Sequence, residues 1–291
     1  MEGQGRPLRR PGFIIPAVER QVALVTGASS GIGWATARAL AAQGFRVAVT
    51  ARRRHRLEQL VAGIAAAGGE AVSFPADLSR PADREALVGA VRDRWGRIDI
   101  LVNNAGFGHY GPTAEIPWEL ADRMLAVNIE AVVHLTRLVL PEMLARNSGH
   151  IINVASVAGD LVVPPSVLYS ATKAFVQAFT EGLYRELRGT GVRVSVVNPG
   201  PVRTEFARVS AGLSAEAPAE IARGIPPEDV AAGIVGLVRR PRKRAYVPWY
   251  WAAAPWVALL FGWAVDRLFW VWERYRRGPV EAAVGPGRSG T

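Results

Sequence analysis

The sequence predicts an α/β domain in which helices cover both faces of a parallel sheet. Short runs of β-branched and aliphatic residues recur from Val22 onward, and amphipathic helical stretches separate them. These runs are apolar throughout rather than alternating, which is typical of strands buried on both faces of a parallel sheet. The predicted fold is therefore a three-layer, Rossmann-type doubly wound parallel sheet with a C-terminal aromatic helical extension.

The predicted elements alternate as this architecture requires. Strands are expected at Val22–Val25, Arg46–Thr50, Ala71–Phe74, Ile100–Asn103, His150–Val154 and Val192–Asn198, with a last strand near Ala245. Helices are expected at Gly33–Gln43, Arg54–Ala67, Asp83–Trp95, Glu119–Leu138, Tyr169–Leu187 and Pro227–Val238. The sequence thus divides into a flexible leader, a main domain, an aromatic helical extension and a disordered tail, at residues 1–20, 21–248, 249–277 and 278–291.

Composition limits the possible partners. The chain carries 35 Lys and Arg against 25 Asp and Glu, a formal charge of +10 that suits anionic ligands. The basic residues are scattered and no nucleic-acid-binding motif accompanies them, so we expect no nucleic-acid partner. The absence of cysteine excludes disulfides and thiol catalysis, and four isolated histidines predict no metal site. The apolar run Phe13–Ile15 is too short for an export signal, which predicts a cytoplasmic protein.

A glycine-rich turn lies between the first predicted strand and helix, in the sequence Thr26-Gly27-Ala28-Ser29-Ser30-Gly31-Ile32-Gly33. Glycines allow the backbone to turn tightly and approach a pyrophosphate, and the helix N-terminus offers free N–H groups and the positive end of its dipole. We predict that a dinucleotide binds here, through Gly27, Ser29, Ser30, Gly31, Ile32 and Gly33.

The end of the second strand predicts which dinucleotide binds. An acidic residue there would hold the ribose 2′-hydroxyl of NAD, whereas a cation accommodates the 2′-phosphate of NADP. This chain has Thr50-Ala51-Arg52-Arg53 and no carboxylate. Cations at a helix N-terminus oppose the helix dipole, and a bound phosphate would offset that cost. We therefore predict NADP(H) rather than NAD(H), bound through Arg52 and Arg53.

Asp77 and Leu78 follow the third strand. Asp77 is a candidate acceptor for the adenine amino group, and an N-cap or turn role for this aspartate is an equal alternative.

Tyr169 and Lys173 lie four residues apart, on one face of a predicted helix. A nearby ammonium favours the phenolate and lowers the pKa of a tyrosine, which is near 10 in isolation. Tyr169 would then exchange a proton with a substrate oxygen. An ordinary pair on a helix surface is the alternative.

Six motifs together resemble the short-chain dehydrogenase/reductase family over about residues 22–247. The matching elements are the glycine-rich turn, Asn103-Asn104-Ala105-Gly106, Asn128, Ser156, Tyr169 with Lys173, and Pro199-Gly200 followed by Thr204. The resemblance implies an oxidoreductase that transfers a hydride between the nicotinamide and a CH–OH or C=O group. One position departs from many NADP-using members, which carry a basic residue where this chain has Ser30.

The resemblance also implies the role of each matching residue. Tyr169 is the general acid/base, Lys173 lowers its pKa and holds the nicotinamide ribose, Ser156 stabilises the substrate oxygen, and Asn128 positions a water. For Ser156 a turn role, and for Thr204 a helix-capping role, are the structural alternatives. The implied cofactor contacts are Asn104, Ala105, Gly106, Tyr169, Lys173, Pro199, Gly200, Val202 and Thr204.

Substrate choice is expected to depend on the loop 203–226, where Phe206, Val209, Leu213 and Ile225 lie among alanines. Further candidates for the pocket wall are Phe107, His109, Tyr110 and residues 161–167. This largely apolar set predicts a small lipophilic ketone, aldehyde or alcohol. A reductase of acyl-thioester or 3-oxoacyl substrates near a membrane is one alternative, and a non-catalytic NADP(H)-binding regulatory protein is another. We expect a homo-oligomer.

The C-terminal segment is unusually aromatic. Six of the nine tryptophans fall between Trp249 and Trp272, and no charged residue occurs from Ala245 to Val265. A helix is expected at Pro255–Arg277. It would pack on the domain or an oligomer interface, or attach to a membrane surface. A membrane span is less favoured, because Pro248 and Pro255 interrupt the apolar run.

Overall fold

The computed structural model describes residues 20–162, 164, 166–206 and 224–277, with side chains up to residue 270. Seven strands are present: β1 Val22–Thr26, β2 Arg46–Thr50, β3 Glu70–Ser73, β4 Ile100–Asn103, β5 Gly149–Val154, β6 Val192–Pro199 and β7 Arg244–Val247. The predicted leader (apart from Arg20), the tail 278–291, and Val209 and Leu213 of the predicted substrate loop lie outside the described residues.

The helices are α1 Gly31–Ala42, α2 Arg54–Ala66, α3 Pro81–Trp95, α4 Trp118–Leu125, α5 Ala131–Ala145, α6 Val167–Glu186, α7 Pro227–Arg239 and α8 Ala254–Arg277. The predicted helix Glu119–Leu138 is in fact α4 and α5, joined by a π-helical turn at Ala126–Glu130, and it continues through Pro141. Proline removes a helical hydrogen bond. Val139 and Met143, one turn apart and both buried, keep this part of α5 packed on the core.

All seven strands are parallel and lie in the order β3-β2-β1-β4-β5-β6-β7. The predicted three-layer, Rossmann-type sheet is thereby confirmed. The strand order changes direction between the adjacent strands β1 and β4. The chain after β1 continues towards β2, whereas the chain after β4 continues in the opposite direction, towards β5. A crevice therefore opens at the carboxyl ends of these strands, where such folds bind ligands.

Two large hydrophobic clusters cover the two faces of the sheet, and a third, small cluster contains Val132, Ala155, Val176 and Val196. Val25 packs with Leu40 and Ile234, which belong to α1 and α7. Its neighbour Leu24 packs with Leu135 and Met143 of α5 on the other face. Successive residues of a strand point to opposite faces, so a sheet covered on both sides needs apolar residues at every position. This burial explains the continuous apolar runs of the sequence.

Two segments of the described chain are long and apolar enough to cross a membrane by length and composition, Trp118–Ala145 and Trp249–Trp270. The first contributes Leu135, Val139 and Met143 to the core. The second includes α8 as far as Trp270, and only 6% of its most apolar stretch is buried. The two segments are therefore alike in composition but differ in environment.

His150 is buried near the start of β5. Its Nε2 lies 2.9 Å from the Ser195 hydroxyl of β6, and that hydroxyl donates to the Arg242 carbonyl at 2.6 Å. Burial, reinforced by the positive charge of Arg193, lowers the pKa of His150 from 6.5 to about 4. The folded protein therefore keeps this imidazole neutral at pH values where the unfolded chain protonates it.

We expect this histidine to make the fold sensitive to acid. Between pH 6.5 and about 4 the unfolded chain binds more protons than the folded one. The stabilisation by neutral His150 is therefore complete above pH 6.5 and is lost as the pH falls, by an amount on the order of 3 kcal/mol. In urea denaturation at several pH values, His150→Gln should lose less stability than the wild type across this window. Equal losses in both proteins would contradict the prediction.

Candidate active site

The predicted site residues come together at the carboxyl edge of the sheet. The glycine-rich turn follows β1, Asn104-Ala105-Gly106 follows β4, Ser156 follows β5, and Gly200 follows β6. Parallel strands end at the same edge, so residues far apart in the sequence become neighbours here.

Thr26 ties the turn after β1 to the loop after β4. Its hydroxyl donates to the Val102 carbonyl at 3.1 Å and accepts from the N–H groups of Asn104 and Ala105, both at 2.9 Å. The Asn104 amide donates back to the Thr26 carbonyl at 2.8 Å. The two loops thus form one rigid floor beneath the crevice.

Gly33 is required by this close approach. A Cβ at this position would lie 2.5 Å from the Gly27 carbonyl oxygen and 2.6 Å from the Asn104 amide nitrogen. The adjacent N-terminus of α1 presents first-turn N–H groups that have no partner inside the helix. A narrow backbone cradle at a helix N-terminus fits the pyrophosphate of a dinucleotide.

Thr204 lies over the same turn from the opposite side of the crevice. Its methyl group occupies the space beside Gly31, where a Cβ would lie 2.8 Å from it. The Thr204 hydroxyl also accepts from the Phe206 N–H at 3.2 Å, as the capping alternative expected. Val202 pairs with Ile225 in an isolated parallel bridge, which holds together the two ends of the loop that follows β6.

The two arginines after β2 differ. Arg53 donates to the hydroxyls of Ser29, at 3.1 Å, and Ser30, at 3.0 Å, in the glycine-rich turn. It also pairs with the carboxylate of Glu205 at 2.9 Å. Arg52 is exposed and makes no hydrogen bond or ion pair within the described residues. The site therefore offers one guanidinium already fixed at the turn and a second at its rim.

Asp77 takes the turn role that was one of its two alternatives. Its carboxylate accepts from the N–H and the hydroxyl of Ser79, at 3.1 and 2.8 Å. Arg123 lies 3.7 Å from the same carboxylate. The Leu78 side chain is buried in the core.

The four predicted catalytic residues, Ser156, Tyr169, Lys173 and Asn128, lie close to one another. The Tyr169 hydroxyl is hydrogen-bonded to the Ser156 side chain. The Lys173 ammonium lies 5.7 Å from the centre of the Tyr169 ring and donates to the Val154 carbonyl at 2.9 Å. A Cβ on Gly106 would lie 3.1 Å from the Asn128 amide oxygen and 3.5 Å from Lys173 Nζ, so the loop after β4 passes directly beside both side chains.

Asn128 lies within the π-helical turn and is buried. Its amide nitrogen donates to the Phe107 carbonyl at 2.9 Å and to the Thr172 hydroxyl at 3.0 Å, and its amide oxygen accepts from the Phe107 N–H at 3.1 Å. Asn128 therefore joins three elements: the π turn, the loop after β4 and α6.

Burial sets the protonation of the tyrosine and the lysine. It raises the pKa of Tyr169 above the ordinary value of 10, with Tyr110 adding to the rise and the Ser156 hydrogen bond opposing it. Burial also lowers the pKa of Lys173 to about 8. The expectation that the lysine lowers the pKa of Tyr169 is not met in this structure, because desolvation of the phenolate outweighs the stabilising interactions.

Sequence reasoning missed Gln177, which supports the site from the same helix. Its amide nitrogen donates to the Ser156 carbonyl at 3.0 Å, to the Asp160 carboxylate at 3.0 Å and to the Asn198 amide oxygen at 2.9 Å. The signal was present in the spacing, since Tyr169, Lys173 and Gln177 follow one another at four-residue intervals on one helix face.

An apolar cavity of about 310 Å³ has in its wall Leu168, the neighbour of Tyr169 in α6. Two of the residues predicted for the pocket wall, His109 and Val167, line it, together with Ile116, Trp118 and Leu168. The Phe206 ring packs on Tyr169 with centroids 5.4 Å apart. A nonpolar substrate portion therefore has space close to the tyrosine.

Known proteins resemble this chain over most of its length. The pattern of the short chain dehydrogenase family matches residues 21–211. A ketoacyl reductase of Nostoc sp. is 38% identical over 216 residues, which are 74% of this chain and 74% of that protein. A metagenomic short-chain oxidoreductase solved with NADP is 37% identical, with a TM-score of 0.68 over 78% of this chain and 96% of the other. A Burkholderia phymatum short-chain dehydrogenase/reductase solved with NAD is 28% identical, with a TM-score of 0.73 over 94% and 98%.

A single methyl group at Gly33 tests the geometry of the turn. Because the added Cβ would overlap the Gly27 carbonyl, we expect Gly33→Ala to lower the free energy of unfolding by roughly 1–3 kcal/mol. The matched control is Gly63→Ala in α2, where nothing lies within 4 Å of the added Cβ. Helix propensity should make that variant more stable by about 0.5–1 kcal/mol. Chemical denaturation measures both, and equal effects of the two substitutions would refute the steric argument.

Proposed function

The chain belongs to the short-chain dehydrogenase family, and on that basis we propose that it is an NADP(H)-dependent oxidoreductase acting on lipophilic ketones, aldehydes or secondary alcohols. The observation that carries the proposal is the Tyr169 hydroxyl hydrogen-bonded to Ser156, with Lys173 beside the ring. This group lies at the same sheet edge as the proposed dinucleotide cradle, so a cofactor held there would supply its hydride near the tyrosine that donates the proton.

Dinucleotide binding is assigned to the loops of this edge. The turn Gly27 to Gly33 receives the pyrophosphate, the loop Asn104 to Gly106 lies beside the adenosine ribose, and Pro199, Gly200, Val202 and Thr204 hold the nicotinamide end. We assign the 2′-phosphate to Arg53 and Arg52, because guanidinium groups bind phosphate oxygens through charge-assisted hydrogen bonds. No carboxylate follows β2 to select the 2′-hydroxyl of NAD instead.

Tyr169 serves as the proton donor in reduction. NADPH bound in this site supplies a hydride to the carbonyl carbon. Tyr169 gives its phenolic proton to the carbonyl oxygen, so that the product leaves as a neutral alcohol. The Ser156 hydroxyl is close enough to Tyr169 to meet the same oxygen and stabilise the charge that develops on it.

The protonation of the resting site favours reduction. Because burial raises the pKa of Tyr169, the phenol is protonated at neutral pH and ready to donate. Lys173, with a pKa of about 8, is mostly charged at pH 7 and stabilises the phenolate that remains after transfer. Its role is therefore proposed at the transition state rather than in the resting enzyme. Asn128 is assigned the positioning of a water that returns a proton, next to Gly106 and Lys173.

The substrate is proposed to be lipophilic. The cavity near Tyr169 is lined by Ile116, Trp118, Val167 and Leu168, and its polar side chains are His109 and Thr113. A hydrophobic wall with few polar groups binds nonpolar carbon chains or rings and orients them weakly. A 3-oxoacyl substrate is a second candidate, which the similarity to a ketoacyl reductase of Nostoc supports.

The proposal is tested by following NADPH consumption, with NADH in parallel, against ketones and aldehydes of graded size and hydrophobicity. We expect turnover that prefers NADPH and increases with nonpolar size. A 3-oxoacyl thioester in the same panel separates the two substrate classes. NADPH binding without turnover of any compound, including the thioester, would favour a regulatory protein.

Removing one oxygen atom tests the role of Tyr169. Tyr169→Phe keeps the ring that packs on Phe206 but has no proton to donate. We expect the rate of turnover to fall by about 10²–10⁴-fold while NADPH affinity, measured by fluorescence titration, stays unchanged. The control is Tyr184→Phe, an exposed position of the same helix, which should retain full turnover. Full activity of Tyr169→Phe would refute the assigned proton donor.

A further inference from the structure

The exposed aromatic segment, residues Trp249–Trp270, contains most of the exposed large hydrophobic residues of the described chain. Ten of the sixteen exposed large hydrophobic residues lie within it, namely Trp249, Tyr250, Trp256, Val257, Leu259, Leu260, Phe261, Trp263, Leu268 and Trp270. Contiguous nonpolar surface on this scale marks a binding site for protein or lipid.

The tryptophans follow a helical repeat. Trp256, Trp263 and Trp270 are spaced seven residues apart on α8 and are 64, 72 and 58% exposed. A seven-residue spacing returns to nearly the same side of a helix, at about 100° per residue. Trp263 and Trp270 therefore lie on the same side of the part of α8 that follows the non-helical backbone at Phe261, and Trp256 lies in the part before it.

The width of this face distinguishes a membrane from a second helix. The exposed residues before Phe261 are Trp256, Val257, Leu259 and Leu260, and at about 100° per residue they cover close to half of the helix circumference. Helix pairing buries a narrow stripe, whereas an interfacial helix immerses about half of its circumference. The non-helical backbone at Phe261 also interrupts the straight seam that a coiled coil needs.

The uncharged part of α8 is by itself too short to cross a bilayer. This part, Ala254 to Val265, has 12 residues and is therefore about 18 Å long. The hydrocarbon core is about 30 Å thick. Asp266 and Arg267 follow at once, and both are exposed.

Charge identifies the kind of lipid. Within α8 four arginines, Arg267, Arg274, Arg276 and Arg277, outnumber two carboxylates, and the whole chain carries +10. Arginine on a tryptophan-rich helix suits anionic headgroups. We propose that the exposed aromatic segment binds the surface of an anionic membrane, with α8 lying in the plane of the headgroups.

This attachment brings the active site to the lipid surface. Trp251, at the start of the segment, packs so closely on Gly200 that a Cβ there would overlap its indole. The turn at Pro199-Gly200 is the one assigned to the nicotinamide end. A substrate dissolved in the membrane is then close to the cavity. Binding of the aromatic segment to the membrane does not depend on catalysis.

The test is co-sedimentation of the full chain with phosphatidylcholine vesicles, with and without phosphatidylglycerol. We expect binding to the anionic vesicles that weakens in high salt. The triple variant Trp256→Ser/Trp263→Ser/Trp270→Ser should reduce the partition coefficient between water and vesicles by roughly tenfold or more, because three indoles that would insert into the lipid are lost. The control is Tyr184→Ser. Tyr184 is exposed near the end of α6 and lies outside the aromatic segment, so this variant should bind as the wild type does.

Circular dichroism of the triple variant establishes that the domain is still folded. Failure of the wild type to sediment with either vesicle would overturn the proposal. So would light scattering that shows a dimer in the wild type and a monomer in the triple variant without vesicle binding, since the occupant of the surface would then be a second copy.

Glu205 supports an independent inference that rests on the proposed use of NADP(H). Its two carboxylate oxygens bind two arginines, Oε2 with Arg53 and Oε1 with Arg56, both at 2.9 Å. Arg53 also holds Ser29 and Ser30 of the glycine-rich turn. A carboxylate of this chain thus occupies Arg53, one of the two guanidinium groups assigned to the 2′-phosphate.

Guanidinium groups bind carboxylate and phosphate oxygens with the same donor atoms. The 2′-phosphate must therefore displace Glu205 or remain beside a like charge, and either event weakens the binding of NADPH. NADH has no 2′-phosphate, so its binding is not weakened in this way. We infer that Glu205 is a specificity-determining residue. It weakens the binding of NADPH and thereby reduces the preference of the protein for NADPH over NADH.

Glu205→Gln removes the charge and keeps the shape. We expect the Kd for NADPH, measured by fluorescence titration, to fall by about tenfold, because a charged hydrogen-bonded competitor is lost. The Kd for NADH should hardly change. Unchanged or weaker NADPH binding in this variant would overturn the inference. Failure of the wild type to bind NADPH at all would instead overturn the proposed function, so the two failures are distinguishable.

Discussion

The contact between the turn after β1 and the loop after β4 is the constraint on which the site depends. The Thr26 hydroxyl accepts hydrogen bonds from two N–H groups of that loop, and the Asn104 side-chain amide donates a hydrogen bond to the Thr26 carbonyl. Only a glycine at position 33 permits this approach. The same loop continues to Gly106 beside Asn128 and Lys173, so the backbone geometry that shapes the proposed dinucleotide cradle also places the candidate catalytic side chains.

The fold could be predicted almost completely because burial on both faces leaves its mark on every strand, as at Leu24 and Val25. Local departures were not visible. The π turn at Asn128 and the continuation of α5 through Pro141 depend on packing rather than on propensity. Glu205 was missed for a different reason: its partners Arg53 and Arg56 lie about 150 residues earlier in the sequence, and spacing carries no signal over that distance.

Tyr169 and Lys173 show where motif and environment give different answers. Their spacing predicts a lysine that lowers the pKa of the tyrosine, but the buried site raises the pKa of the phenol and lowers that of the ammonium. Both shifts have one cause, because desolvation penalises any isolated charge. A site in this state keeps a neutral proton donor. The benefit of the lysine then appears only when negative charge forms on the tyrosine, which is when a catalyst needs it.

The position of Trp251 makes the exposed aromatic segment part of the site rather than an appendage. Its indole fills the space above Gly200, so any larger residue there would displace either the segment or the turn at the nicotinamide end. Binding of α8 to a membrane would hold Trp251 in place and thereby order that turn. An ordered turn loses less conformational freedom when the cofactor binds. Membrane attachment and cofactor affinity are therefore expected to be coupled, and by linkage each should strengthen the other.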